Sequence, residues 1–255
     1  MRPEWLTPSW PAPAGIRALS TLRAGGVSTG PFESLNLGAH VGDLPEAVAE
    51  NRRRLRAVAR LPGEPAWLSQ VHRARVWDLD AAEDDPRTPA DGSCTRRPGH
   101  ICAILSADCL PILLAAESGD AVAAAHAGWR GLAAGVIEAA VRALGRPPHR
   151  LLAWLGPAIG PEHFEVGAEV REALLGPDPQ AESAFRPNAR GRFMADLAAL
   201  ARRRLARLGV ERIYGGGECT YAARDRYFSH RRDGNTGRHA TLIWIENELP
   251  GRVAG

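Results

Sequence analysis

Lysine is missing altogether: all 32 basic side chains among the 255 residues are arginine. That absence removes a P-loop lysine, a pyridoxal phosphate Schiff base and a Ser-Lys hydrolase together, since each needs a primary amine. Arginine stays charged at every relevant pH and favours planar, forked contacts with anions. The four cysteines form no CxxC pair and show no regular spacing, and the N-terminal stretch MRPEWLTPSWPAP has no apolar signal core. A reducing cytoplasm is the expected location. No run approaches the ~20 apolar residues needed to cross a bilayer, so no membrane partner is expected. A net charge of +3 falls short of a dedicated nucleic-acid surface, and no nucleic acid is expected either. What the chain does have is 45% hydrophobic residues, ample for a sizeable core.

No internal repeat or low-complexity block divides the sequence, which favours a single domain over residues 1–255. The proline-rich segment 3–13 and the acidic AAEDDPRTPADG at 81–92 read as surface loops. Residues 45–61 carry Val48, Leu55, Val58 and Leu61 among charged neighbours, as a surface helix does. AWLSQVH at 66–72 reads as a short strand ending in a polar tip. ICAILS (101–106), PILLAA (111–116) and AVAAAH (121–126) are short apolar runs between turn-forming residues. They are followed by a helix-like stretch at 131–144 and a further strand, LLAWLG, at 151–156. Helices are expected near 166–175 and 195–208, and strands near 210–214 and 240–246. Strands that both neighbour one another and alternate with helices indicate a mixed sheet covered by helices, in the α/β or α+β class.

Chemistry concentrates at the polar ends of three apolar runs. His72 closes AWLSQVH, Cys109 stands just ahead of PILLAA in SADCLPILL, and His126 closes AVAAAH. Side chains at strand ends face the crevice where ligands bind. Zinc takes thiolate and imidazole, and three protein ligands leave a fourth position open for catalysis. The same residues also suit a buried cysteine with two ordinary histidines, or a Cys109 nucleophile with His126 or His72 as base. Of the other cysteines, Cys102 reads as core, Cys94 as a loop residue and Cys219 as packing beside the crevice. In HAGWRGLAAG, glycines 128 and 131 allow close backbone approach, and a helix beginning near Arg130 would favour an anion held by that arginine. A plain strand-to-helix turn with a solvated Arg130 is the alternative. The long loop at 20–42 offers Arg23 and Asn36 as ligand contacts. YFSHRRDGNTGR at 227–238 offers Arg231 and Arg232 for an anion, with Tyr227 or Phe228 for base stacking.

Taken in order, TLRAGGVSTGPFESLNLGAHVGD, WLSQVH, ADCLPILL, AAHAGWRGLAAGVI, LGPAIGPEHFEVG, DLAALARRRL and CTYAARDRYFSHRRDGNTGRHATLIW resemble the YfiH family, also called multicopper polyphenol oxidase-like or laccase-domain. The resemblance runs from about residue 20 to residue 246. It implies a mixed α/β fold and a zinc site at His72, Cys109 and His126. It also implies phosphorolysis of purine nucleosides, adenosine and inosine among them and methylthioadenosine as a further candidate, with accompanying adenosine deamination. The partners implied are purine nucleosides and phosphate, for a monomer or homodimer. Arg130 is then the expected phosphate ligand, with Arg23, Asn36 and Arg231 as substrate contacts. Asp108 is the carboxylate nearest to the metal ligands in sequence for moving a proton, although strand alternation would turn it away from Cys109. The same donors accept copper, which keeps a laccase-like oxidase as the alternative. Eight scattered histidines and two methionines argue against a multicopper centre. Arg73 departs from the glycine common at that place in the family, and His163 stands near a common cysteine.

Overall fold

The apolar runs at the centre of the chain become strands buried on both faces. In the computed structural model, which describes residues 2–81 and 88–246, the first half comprises β1 (Trp5–Leu6), β2 (Ile16–Thr21), α1 (Pro45–Ala59), β3 (Val76–Asp78), β4 (Gly92–Thr95), β5 (Ile101–Ser106), β6 (Leu110–Ala116) and β7 (Val122–Ala127). Then follow α2 (Trp129–Ala134), α3 (Val136–Leu144), β8 (Leu151–Leu155), β9 (Glu165–Val166), α4 (Ala168–Leu175), β10 (Phe185–Pro187), β11 (Phe193–Ala195), α5 (Leu197–Arg207), β12 (Arg212–Gly215), α6 (His230–Asp233) and β13 (His239–Ile245). A six-stranded sheet runs β12-β8-β6-β7-β4-β3, with antiparallel pairing at its centre and parallel pairs at both edges. A four-stranded antiparallel sheet runs β1-β2-β13-β5, and β10-β11-β9 form a small third sheet. The class is mixed α/β.

Alternation along each strand explains the layering. Ile112 and Leu114 of β6 and Ala123 and Ala125 of β7 face α3 and α5, meeting Ile137, Val141 and Leu200. Leu113, Ala115, Val122 and Ala124 face the other way and meet Ile104 and Ile243 of the four-stranded sheet. The outer face of that sheet, through Leu105 and Leu242, is covered by Leu35, Leu37 and Leu55 from the long loop and α1. Both sheets are therefore sandwiched, so the strands read as continuous apolar runs.

Several expectations need correction. AWLSQVH is no strand: it contributes one isolated bridge, Ala66 to Cys102, and then a turn in which His72 takes a left-handed φ of 59°. The helix expected over 131–144 starts at Trp129 and is cut in two at Gly135, whose φ of 87° ends α2 and opens α3. Cys94 is a buried residue of β4 rather than a loop residue. Part of the loop expected at 81–92, residues 82–87, lies outside the described residues. Among the described residues, no helix is long and apolar enough to cross a membrane.

Candidate metal and nucleoside site

The register of the six-stranded sheet makes the site. Leu110 pairs with Ala127 and Pro111 with His126, so Cys109, one step before β6, lies beside the end of β7. On the other side of β7, Gly92 pairs with Ala125, which sets Asp91 next to His126. The His126 amide donates to the Asp91 carbonyl at 2.7 Å. His72, Cys109 and His126 then present ligand atoms all within 4.8 Å of one another, the one such His/Cys/Asp/Glu group among the described residues. His72 Nε2 lies 3.8 Å from Cys109 Sγ, and the two imidazoles meet edge-on at 4.8 Å between centroids.

Asp91, fully buried, builds this triad. Its Oδ1 accepts from His126 Nδ1 at 2.9 Å and from the His72 amide at 2.8 Å. Its Oδ2 accepts from the amides of Val71 (3.1 Å) and Arg73 (2.7 Å). Three consecutive N–H groups on one carboxylate fold the QVHR turn and hold His72 in its left-handed conformation. The imidazole bond fixes the His126 tautomer, leaving Nε2 free to coordinate. Burial pushes the Asp91 carboxyl up, but His126 and the Arg73 and Val71 amides outweigh it and hold the group below its usual range. Burial likewise pushes the Cys109 thiol up, and the adjacent His126 and His72 reverse this, bringing it to about 6. Burial lowers His126, and Cys109 with Asp91 raise it to about 9. Each of the two groups thus favours the charged form of the other.

Two further observations fit a metal. The donor set, one sulfur and two imidazoles with a carboxylate behind one histidine, is that of zinc and related soft-to-borderline ions. Gly128 also leaves room that a side chain would fill: a Cβ there would lie 2.6 Å from Cys109 Sγ and 3.4 Å from His72 Cδ2. Gly131 has the same character toward the His126 carbonyl, at 2.8 Å. The glycines of HAGWRG thus serve close packing around the triad. Accordingly, Gly128→Ala should lower metal affinity at least about tenfold by displacing the sulfur, read by titration with a zinc-sensitive dye; unchanged affinity would contradict this role.

The triad opens into a cavity of about 630 Å³. Of the residues singled out from the sequence, His72, Cys109, His126, Asp108, Arg130 and Arg231 all line it. Asp108 reaches it because a φ of 99° takes it out of strand alternation. Its carboxylate is engaged, however, by the Thr220 hydroxyl at 2.7 Å and the Arg231 amide at 2.6 Å. Arg231 packs its guanidinium over Phe164 and donates to the Glu165 carbonyl. Arg130 lies against Trp129 at 4.4 Å and has no ion pair among the described residues, which leaves its charge available to a ligand.

Arg23 and Asn36 are not brought to the cavity wall. Arg23 donates to the carbonyls of Glu33 and Arg224 and stacks on Phe228, closing the long loop onto the C-terminal one. Asn36 is fully buried, and its Oδ1 accepts from the amides of Gly38 and Arg238, both at 2.9 Å. Short polar side chains in a glycine-rich loop supplied the loop's own hydrogen bonds instead of a ligand's. Arg232 is likewise taken up, by the carbonyls of Thr220, Tyr221 and Tyr227. Tyr227 and Phe228, considered for base stacking, are fully buried. Arg73 meets Asp91 through its main chain, His163 stacks on Tyr221 at 4.4 Å, and Cys219 accepts from the Gly160 amide.

The sequence reading missed Asp91, Arg238, His40 and Trp129. Arg238 and His40 sit in quoted motifs, GNTGRHA and NLGAH, where nothing in the spacing set them apart from their neighbours. Phe164, Ile159, Val170 and Trp129 give the cavity an apolar wall suited to a flat ring.

Residues 17–246 match the family model described as multi-copper polyphenol oxidoreductase laccase. The chain is 55% identical over 244 residues to a purine nucleoside phosphorylase of Pseudomonas aeruginosa, covering 95% of this chain and 99% of that one. It is 51% identical over 240 residues to the purine nucleoside phosphorylase YfiH of Escherichia coli K12, covering 94% and 98%. Among solved structures, a Neisseria meningitidis protein superposes with a TM-score of 0.90 at 49% identity, covering 95% of this chain and 99% of its own. YlmD of Geobacillus stearothermophilus superposes with a TM-score of 0.88 at 34% identity, covering 95% and 96%.

Proposed function

We propose, for a chain that belongs to the multi-copper polyphenol oxidoreductase laccase family and shares most of its length with purine nucleoside phosphorylases, that it is a metal-dependent purine nucleoside phosphorylase acting from residues 1–255 as one catalytic unit. The observation that carries this reading is the juxtaposition, in one cavity, of three donors that could hold a metal, an apolar wall and an arginine with no ion pair among the described residues. Adenosine, inosine and methylthioadenosine are the proposed substrates, zinc the proposed ion, and adenosine deamination a second activity of the same site. The working location is the cytoplasm.

Phosphorolysis needs a bound phosphate, a held purine and stabilisation of a sugar that becomes cationic as the base departs. Arg130 offers phosphate a forked, charged donor at the cavity wall. Trp129, Ile159 and Phe164 offer the base a dry surface. Holding both partners in line removes much of the entropic barrier, and preorganised charge supplies the rest. His72, Cys109 and His126 would hold zinc, which supplies a Lewis acid and acidifies a bound water toward neutrality. Asp108 carries a proton for deamination only by giving up the Thr220 or Arg231 hydrogen bond.

The competing oxidase chemistry needs several copper ions, whereas the described residues supply one group of three donors, enough for a single ion. Chromatography of adenosine, inosine and methylthioadenosine incubated with pure protein, with and without phosphate, tests the reading. Free base released only with phosphate supports it; no release, or release indifferent to phosphate, overturns it. Formation of inosine from adenosine reports the deaminase. Arg130→Ala should raise the KM for phosphate about 10–100-fold, the effect of one charged hydrogen bond, with nucleoside binding little changed. Steady-state kinetics with phosphate varied would show this, and an unchanged phosphate KM would remove Arg130 from the phosphate site.

A further inference from the structure

Three carboxylates line the cavity, Asp108, Glu165 and Glu169. Two are committed. Asp108 accepts from Thr220 and from the Arg231 amide. Glu165 accepts from Asn188 at 2.7 Å and pairs with Arg190 at 2.6 Å and Arg192 at 3.7 Å. The carboxylate of Glu169 has no hydrogen bond or ion pair with any described residue.

Its place in the fold is defined. Glu169 stands in the first turn of α4, after an N-cap glycine that contributes no side-chain cap. The carboxylate folds back over that glycine: a Cβ on Gly167 would lie 2.1 Å from Oε2 and 2.7 Å from Oε1. The beginning of a helix favours a negative charge. A carboxylate is an acceptor with two oxygens and no donor, and Glu169, exposed at the cavity wall, offers both oxygens to a ligand that brings hydroxyl or amine hydrogens. The adjoining helix α2 packs on α4 and carries Arg130 into the same cavity. An acceptor and an anion-binding cation therefore stand on neighbouring elements.

We propose that Glu169 is a specificity-determining residue that accepts hydrogen bonds from the 2′- and 3′-hydroxyls of the substrate ribose. This rests on the nucleoside phosphorolysis proposed above. In that reaction phosphate oxygen bonds to C1′ as the C1′–N bond to the base breaks, with its electron pair leaving on the base. C2′ is the next ring carbon, so the group that holds the 2′-hydroxyl has to adjoin the group that holds phosphate. Glu169 and Arg130, on packed helices and lining one cavity, meet that demand. A vicinal diol also suits a carboxylate, since each hydroxyl addresses one oxygen.

Titration calorimetry without phosphate, using inosine, 2′-deoxyinosine and 3′-deoxyinosine, tests the assignment on wild type, Glu169→Gln and Glu169→Ala, with phosphate-dependent hypoxanthine release followed in parallel. Wild type should bind inosine about 10–100-fold more tightly than either deoxynucleoside, the margin of one charge-assisted hydrogen bond. Glu169→Ala should bring the three to within about twofold by weakening inosine most, since each deoxynucleoside loses only the one hydrogen bond it still makes, and Glu169→Gln, which keeps one acceptor oxygen, should fall between. A wild type that does not discriminate, or a Glu169→Ala variant that keeps the full margin, overturns the assignment. Discrimination that collapses in Glu169→Ala without any hypoxanthine release from wild type supports the ribose assignment while overturning phosphorolysis. Inosine that fails to bind wild type overturns both.

Discussion

Cys109→Ala is expected to purify without its metal and to lose phosphorolysis by on the order of 10²–10⁴-fold, the few kcal/mol that a bound Lewis acid supplies. The thiol is the one sulfur donor in the triad, and the two imidazoles alone leave an incomplete site. Adenosine deamination should fall with it, since both activities are assigned to the same ion. Wild type stripped by a chelator should behave like the variant and recover when zinc is restored, whereas Cys109→Ala should not recover. A melting temperature near that of stripped wild type separates metal loss from misfolding. Zinc-free Cys109→Ala with full phosphorolysis would reject the metal role. Chelation that leaves activity intact while alkylation of Cys109 abolishes it would instead favour a cysteine nucleophile.

A larger structural effect is expected from Asp91→Asn. The carboxylate accepts four hydrogen bonds, from His126, His72, Val71 and Arg73. An amide presents one oxygen and one NH₂, so whichever way it is turned, two of the four donors face another donor. Breaking a buried charged network of this kind costs about 3–5 kcal/mol. The QVHR turn then loses what holds His72, and His126 loses the acceptor that sets its tautomer. Zinc affinity should drop about 10–100-fold and the melting temperature should fall together with it. Competition titration with a chelating dye and thermal unfolding read both. Wild-type affinity in Asp91→Asn would show that the turn is held by something else.

These two residues also mark what the sequence could and could not disclose. Strands at 101–106, 110–116, 122–127 and 151–155 were legible because both sheets are covered on both sides, which turns each strand into an uninterrupted apolar run. The candidate ligands Cys109 and His126 stood out as polar punctuation at the ends of such runs. His72 was singled out on a mistaken structural setting: it ends no strand but sits in a turn built by a residue nineteen positions later in the chain. Asp91 itself was hidden in a stretch whose acidic and proline-rich composition reads as surface, and only the β4–β7 pairing carries it into the core. Arg23 and Asn36 looked like ligand contacts because a long polar loop often is one. In the folded chain they hold that loop against residues around 224 and 238, pairings of high sequence separation that no local pattern records.

Zinc-edge X-ray absorption on the protein as purified, with its metal content counted, bears most directly on the central claim that His72, Cys109 and His126 hold one catalytic ion. One zinc per chain is expected, with a single sulfur at ~2.3 Å and two nitrogens at ~2.0–2.1 Å, and no such signal in Cys109→Ala. A shell without sulfur, or the same spectrum from the Cys109→Ala variant, would contradict it.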